Sequence, residues 1–449
     1  MQDVNDEAQP AAGARSWRQG RHVVLVVAGG GALRIAWAVF AVRPLAYLFG
    51  GDPNSYVRYA RSLADGDGYP SLVYDGPGAF HPPGWSLILS VWFVVTDALH
   101  LPGDDFDHAA VLTVAFGTAT VLLVYLVARR LFDHRVAIAA AAVFAIWPNV
   151  VFYAGVPALE TAFMFFWLFA VWLVLRTGWP AAWLGVAPGI AAGVALGVSM
   201  LIRPFSMALI PAMFVALVVA RHAWRRAARD AFLVGVIALG VVVPWTVRNA
   251  IQLDGFVPVS TNMGETFCLG HHPGASGGFV EVPDYCTHPY EILREPADDI
   301  ARNRVGFEQG LRFAIHNPAS EVRLLAKKAW HIGRDDHDAL DAVESNGADP
   351  FIDPAIREVL GRTADIAYYM ILLAAAAGLG RFVRDRDARR WVVLLTAAGL
   401  LAFPLGLYGL ARFKVPLAPF LAIAAGAGVM RLSRTASPRS ARLASIESP

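Results

Sequence analysis

Charge is scarce in this chain: only 16% of its 449 residues are Asp, Glu, Lys or Arg, against 56% hydrophobic. That balance excludes a chain of two or three soluble domains and indicates a polytopic membrane protein. Cysteine is nearly absent, with Cys268 and Cys286 alone, so no disulfide-rich framework can be built. No internal repeat of fixed period is visible, which argues against a repeat-built secondary transporter. The first apolar run, 22–49, is too long for a signal core and lacks a small-residue cleavage site, so it is expected to stay as an anchor. The net charge of +2 says little by itself, and nucleic acid is not an expected partner.

Apolar length is plentiful. Besides 22–49, candidate spans lie at 109–128, 136–153, 159–175, 181–201, 205–220, 231–247, 365–379, 391–410 and 415–430. Each approaches the roughly 20 residues that cross a hydrocarbon core. An eleventh run, 84–99, is short and is followed by Gly103-Asp104-Asp105-Phe106-Asp107. Arginine placement decides its fate. Basic clusters stand at Arg15/Arg18/Arg21, Arg129/Arg130/Arg135, Arg221/Arg225/Arg226/Arg229, Arg381/Arg384/Arg386/Arg389/Arg390 and Arg431/Arg434/Arg439/Arg442. If 84–99 lies along the outer surface, all five fall in the cytoplasm, as the positive-inside rule requires.

The expected fold class is an all-α polytopic membrane protein. It has about ten transmembrane helices with both ends inside, surface (juxtamembrane) helices and a mixed extracytoplasmic loop. Its parts are a cytoplasmic tail 1–21, a membrane core 22–248 containing a first outer loop 50–108, and an outer lid 249–364. The last helices, 365–431, and a disordered cytoplasmic tail 432–449 follow.

Within this frame two acids stand out at the outer boundary: Asp52 in Gly50-Gly51-Asp52-Pro53-Asn54-Ser55-Tyr56, and Glu160 in Val156-Pro157-Ala158-Leu159-Glu160-Thr161. A carboxylate at the bilayer edge is costly enough to need a reason. Asp52-Pro53 reads as an N-cap with proline at the first helical position, opening an amphipathic surface helix with Tyr56, Tyr59, Ala60 and Leu63 on one face. Glu160 falls in the first turn of a helix, where the macrodipole favours an anion. Capping and headgroup exposure are the plain alternatives to a catalytic pair. Between the two acids, Phe80-His81-Pro82-Pro83-Gly84-Trp85 holds His81 at the boundary, as a phosphate donor or as an interfacial histidine.

Outer cations are few and therefore informative. Arg203 in Leu201-Ile202-Arg203-Pro204-Phe205, Arg248 in Pro244-Trp245-Thr246-Val247-Arg248-Asn249, and Arg412 with Lys414 in Ala411-Arg412-Phe413-Lys414-Val415-Pro416 break the inside bias at three outer turns. Snorkelling explains any one of them. Together they suggest recognition of an anion, Arg suiting bidentate phosphate contacts and Lys acting as a point charge.

These segments resemble the GT-C membrane glycosyltransferases, nearest the bacterial branch related to protein O-mannosyltransferases and lipid A aminoarabinose transferases. The likeness rests on Asp52 with Tyr56, Tyr59, Ala60 and Gly66-Asp67-Gly68, and on His81-Pro82-Pro83-Gly84. It continues through Leu159-Glu160-Thr161, Ile202-Arg203-Pro204, the 244–249 segment with Val257-Pro258-Val259-Ser260-Thr261-Asn262, and Arg412-Phe413-Lys414-Val415-Pro416. It runs from about Val23 to Arg431 and rests on order and spacing. It implies a polyprenyl-phosphate sugar donor used on the face away from the cytoplasm, Asp52 as the catalytic acid and Glu160 as the second acid. His81, Arg203, Arg248, Arg412 and Lys414 would bind the donor phosphate, and Tyr56, Tyr59 and Asn262 would serve the acceptor and lid. Two departures are plain: His81 stands near the place of a lysine in the aminoarabinose transferases, and many relatives carry Asp where this chain has Glu160.

The expected function is transfer of a hexosyl or pentosyl group to an acceptor hydroxyl, with inversion, in the bacterial inner membrane. The acceptor would be a cell-envelope glycan, lipid or protein, with membrane lipids around the protein. A transporter or lipid flippase is the alternative, and Arg34 inside the first span is its best support. No metal is assigned, a divalent ion remaining the one open cofactor. Cys268 and Cys286 share the exported lid, where a disulfide, two free thiols, or zinc with His271, His272 and His288 are the options. The topology has a direct check. Cysteine-accessibility labelling should reach position 349 from outside and positions 225 and 386 from inside; positions 225 and 349 on one side would remove the topology.

Overall fold

The computed structural model describes residues 12–43, 51–176, 179–180, 184–384 and 386–436. Among the described residues every regular element is helical. Isolated bridges pair only Pro70 with Pro77 and Gly278 with Gly409. The extracytoplasmic loop, expected to be mixed, is helical with irregular connections. Of the expected tails, 1–11 and 437–449 lie outside the described residues, as do 44–50 at the end of the first span.

The membrane half opens with α1 (Ala12–Ala41), the surface helix α2 (Asp52–Asp65) and α3 (Gly84–Ala98), then α4 (Asp105–Leu131), α5 (His134–Ile146), α6 (Pro148–Phe152) and α7 (Leu159–Arg176). It continues through α8 (Val186–Ile202), α9 (Leu209–Val219) and α10 (Trp224–Gln252). The long segment between the two sets of membrane helices carries α11 (Met263–Leu269), α12 (Asp284–Thr287), α13 (Pro296–His316), α14 (Pro318–Gly333) and α15 (Asp338–Val343). The chain then returns to the membrane with α16 (Pro354–Val383), α17 (Ala388–Leu405) and α18 (Ala418–Ala436).

Ten full spans are not reached. Among the described residues seven helices are long and apolar enough to cross, and eight if the bent pair His134–Ile146 with Pro148–Gly155 counts as one. The other two expected spans correspond to Val186–Ile202 and Pro204–Val219, which are shorter. At ~1.5 Å per residue such helices reach about 25 Å, short of the roughly 30 Å core. The doubtful run forms α3, 15 residues long. It packs on the surface helix α2, and its length is again too small to cross.

The bend between α5 and α6 explains Arg34. Pro148 has no N–H, so it leaves the Phe144 carbonyl without its helical partner. Arg34 donates to Phe144 O at 3.4 Å, Ala145 O at 3.1 Å and Gly30 O at 2.9 Å. Intramembrane charge here mends a broken helix. The transporter reading therefore loses its main support. Elsewhere the spans close on small residues: a Cβ on Gly378 would meet Ala424 O at 2.0 Å, and one on Gly428 would meet Ala374 O at 1.9 Å. Backbones of α16 and α18 thus touch, as small residues permit in a bilayer.

Between the lid helices α13 and α14, Asn317 stands at the N-cap of α14 but makes no forward side-chain cap bond. Its Nδ2 donates back to Phe313 O at 2.9 Å. Cys268 and Cys286 are joined by a disulfide that ties α11 to the start of α12. Protein taken from its native membrane without reductant should resist thiol alkylation at both positions, read by mass. Labelled thiols in that protein would contradict the bridge.

Candidate functional site

Four chain segments meet at the outer end of the bundle, and each brings a charge. Asp52 begins α2 rather than capping it: Gly51 is the N-cap, at φ 97°, and no side-chain cap bond forms. The carboxylate is thereby free to face inward. Its Oδ2 accepts from Arg412 Nη1 at 2.7 Å and its Oδ1 lies 3.3 Å from His81 Nε2. Arg412 reaches onward, its Nε 3.0 Å from Glu160 Oε1. Arg203 closes the chain by pairing with the same Glu160 oxygen.

Glu160 does stand in the first turn of α7, but it is 0% exposed and sees no headgroups. Two carboxylates and two guanidiniums therefore alternate in a nearly dry site, where each charge needs the next. Asp52 is 35% exposed and is the member open to solvent. Burial by itself raises its carboxyl, but Arg412 and His81 outweigh it and hold Asp52 well below the usual carboxylate range. The Tyr56 phenol moves the other way, raised by burial and then by Asp52.

The segment from Phe80 to Gly84 positions His81. Its two prolines deliver the chain to Gly84, where a Cβ would lie 2.6 Å from Ile202 N. Only glycine lets α3 start against the end of α8, one residue before Arg203. Tyr59 OH lies 3.4 Å from His81 Nδ1, Tyr69 OH donates to His81 O at 3.1 Å, and Tyr59 stacks on Tyr69 with centroids 4.1 Å apart. An aromatic shelf thus fixes the imidazole.

Two of the proposed phosphate ligands go elsewhere. Arg248 donates to Gly78 O at 2.7 Å and Tyr69 O at 2.8 Å, fastening the turn that carries the shelf. Lys414 lies 3.2 Å from Asp336 Oδ1 and also donates to Asp335 O. In the 3₁₀ turn Ala411–Leu417, residues two apart point about 120° apart, so Arg412 and Lys414 diverge. The paired motifs of 244–249 and 257–262 bond to each other: Trp245 Nε1 to Val259 O at 2.8 Å, Thr246 Oγ1 to Pro258 O at 2.8 Å, and Asn249 Nδ2 to Val257 O at 3.0 Å. That register delivers Asn262 to the cavity wall.

Two cavities open on the cluster. One of about 260 Å³ is walled by Leu159, Ile202, Phe205, Phe403, Leu407 and Phe413, with Arg203, His81 and Asn262 on its rim. The other, about 650 Å³, is lined by Glu160, Tyr153, Asp335, Asp338, Asp341, His337 and Arg334. Asp52, Arg412, Tyr408 and Phe279 line both.

Tyr408, Tyr153 and the acidic run 335–338 were not singled out from sequence. The signal was there: Tyr408 sits in the same outer turn as Arg412, and four titratable residues in a row within an exported loop are unusual. Asp336 and Asp338 lock the lid to the bundle. Asp336 accepts from Trp147 Nε1 at 2.6 Å and Asn149 Nδ2 at 3.2 Å, and Asp338 accepts from Asn149 at 2.8 Å and from Tyr153 OH. Among the described residues no group of three or more His, Cys, Asp and Glu side chains forms a metal-ligand set.

Residues 81–247 match the family described as dolichyl-phosphate-mannose-protein mannosyltransferase. That stretch is a little over a third of the chain. No curated protein matches. Solved structures of the archaeal oligosaccharyltransferase AglB from Archaeoglobus fulgidus share the fold. The one in complex with an inhibitory peptide and a dolichol-phosphate is 15% identical, with TM-score 0.54 over 97% of this chain and 52% of that one. The one tethered to an acceptor peptide is 15% identical, with TM-score 0.55 over 94% and 50%. The chain thus spans about half the length of these proteins. ArnT from Cupriavidus metallidurans bound to undecaprenyl phosphate is 16% identical, with TM-score 0.42 over 91% of this chain and 78% of that one. The fold is that of the GT-C glycosyltransferases, in a multi-pass membrane protein.

The charge cluster makes a pH prediction. Asp52 is depressed in the folded protein, so its stabilisation is present above the unfolded carboxylate pKa of about 4 and is lost as pH falls through the lower folded value. Arg412→Gln removes the main opposing charge. Near neutral pH it should destabilise by about 1 kcal/mol, well short of the cost for a buried pair, because solvent reaches Asp52 and Arg203 still neutralises Glu160. The gap in unfolding midpoint from wild type should narrow on acidification below about pH 5; a gap that widens would contradict the assigned pairing.

Proposed function

We propose that this chain is a membrane glycosyltransferase that moves a sugar from a polyprenyl-phosphate donor to an acceptor hydroxyl on the extracytoplasmic face. The observation that carries the reading is the acid–arginine cluster at the junction of an apolar and a polar cavity. The apolar cavity suits the first isoprenes, with the phosphate near Arg203, Arg412 and His81. The polar one suits a hydroxyl-bearing acceptor. The AglB structures hold a dolichol-phosphate or acceptor peptide on the same fold, and the family match points to a lipid-phosphate sugar donor; both support this assignment.

Asp52 is the proposed base. It takes the acceptor proton as the hydroxyl oxygen bonds to the anomeric carbon and the bond from that carbon to the phosphate oxygen breaks. The electron pair leaves on the lipid phosphate, which needs cations rather than an acid. Direct attack inverts the anomeric centre. A carboxylate clamped by Arg412 is a weak base, and donor binding relieves the clamp. The donor phosphate competes for Arg412, and as that guanidinium turns to the phosphate Asp52 gains basicity. Glu160 holds Arg203 and Arg412 in place and has no part in proton transfer. Arg248 and Lys414 act at a distance, on the shelf turn and on the lid. The arginine bias supports a bacterial inner membrane with the site facing outward. A cell-envelope glycan, lipid or protein remains the acceptor class.

The purified protein, incubated with candidate polyprenyl-phosphate sugars, should consume one of them. Asp52→Asn should still fold and bind donor, with a small fall in unfolding midpoint because Arg412 keeps Glu160, while turnover falls about 100-fold or more, the scale for losing a general base. Glu160→Gln should instead lower the unfolding midpoint, because two buried guanidiniums lose a counter-charge. Near-normal turnover by the Asp52→Asn protein would remove the base assignment.

A further inference from the structure

A second cluster of arginines lies at the other end of the bundle. Arg381 and Arg384 stand at the end of α16, Arg390 in the first turn of α17, and Phe132, Asp133 and Val136 at the turn from α4 to α5. Together they line a cavity of about 480 Å³. Arg381 Nη1 donates to Ala427 O at 3.3 Å. Ala427 lies 15 residues beyond Arg412 on the same span, roughly 22 Å along the helix axis. This cavity is therefore separate from the acid–arginine cluster and opens at the opposite membrane boundary.

One guanidinium, that of Arg390, is held in place by carbonyls at two helix ends. Arg390 Nη1 donates to Arg381 O at 2.9 Å and its Nη2 to Leu131 O at 3.3 Å, with the guanidinium 4.8 Å from the centre of the Phe132 ring. Among the described residues Asp133 is the one carboxylate in the lining, and its Oδ1 caps α5, accepting from Val136 N at 3.0 Å. Asp387, next to Arg390's turn, pairs with Arg389 at 2.8 Å. Among the described residues three cations thus line one cavity beside an apolar wall of Phe132 and Val136. Such a lining suits a phosphate group, and the apolar wall suits the acyl-chain side of a lipid rather than a free ion.

We propose that this cavity binds the phosphodiester headgroup of an anionic membrane lipid in the leaflet opposite the acid–arginine cluster. Such a lipid would clamp the α4–α5 turn to the α16–α17 turn, adding to the Arg390–Leu131 bond. Anionic headgroups gain about fivefold in affinity per nearby arginine, so three give roughly 100-fold.

The test uses the full chain in neutral detergent, titrated with phosphatidylglycerol or with phosphatidylcholine of the same acyl chains and read by native mass spectrometry. Wild type should bind phosphatidylglycerol preferentially. The triple variant R381Q/R384Q/R390Q should lose roughly 100-fold and Arg384→Gln about fivefold, with phosphatidylcholine binding unchanged. Arg384 is exposed and its replacement spares the carbonyl bonds of Arg381 and Arg390, so that variant keeps the test decisive if the triple fails to fold. Phosphatidylglycerol bound equally by wild type and a folded Arg384→Gln protein would overturn the proposal. So would inorganic phosphate displacing the lipid at equal concentration, which would make the cavity a free-phosphate site.

Discussion

The alternation of Asp52, Arg412, Glu160 and Arg203 is the constraint on which the rest of the site depends. Glu160 and Arg203 sit where water is excluded, and an uncompensated charge there costs several kcal/mol, while Asp52 and Arg412 keep a partial opening to solvent. The four residues come from α2, the turn before α18, α7 and the end of α8. Their pairing therefore fixes four elements relative to one another. It also leaves the cluster close to neutral before any ligand enters. An incoming phosphate must then take a guanidinium from a carboxylate, which couples donor binding to the basicity of Asp52 without any further device.

Around this cluster the protein spends polar residues on position. Arg248 and the tyrosine shelf hold His81, and the bonds between 244–249 and 257–262 hold Asn262. The buried Asp336 and the half-buried Asp338 join Trp147, Asn149, Tyr153 and Lys414 across the boundary between lid and bundle. The break at Pro148 serves the same end. It turns the chain so that Asn149 and Tyr153 meet the lid, and Arg34 satisfies the carbonyls the break exposes. A membrane core tolerates such irregular backbone only where protein covers it.

Much of this was legible in the chain. Apolar runs located most helices to within a few residues, because a span must satisfy its backbone internally and must be apolar throughout; α1 and α16 begin well before their runs, in polar stretches that continue the helix. The scarcity of charge made each outer acid and cation conspicuous. Length was harder to read: hydropathy does not separate a 17-residue helix from a full span, since both are uniformly apolar. Capping was misread at Asp52 for a related reason. Asp and Asn have two uses for the same side chain, and the sequence does not say whether the nearest N–H or a distant guanidinium offers the better bond.

Composition and order by themselves determined a helical membrane protein, the arginine-marked face, the two outer acids, and the segments that resemble a GT-C transferase. Only the tertiary structure decided which cations reach those acids. Arg203 and Arg412 do, while Arg248 and Lys414 turn to carbonyls and to Asp336. The physical reason is direction: two residues in one 3₁₀ turn diverge by most of a half-circle, and a guanidinium goes to whichever acceptor the packing of distant helices brings within about 3 Å. Spacing along a chain carries no record of that choice.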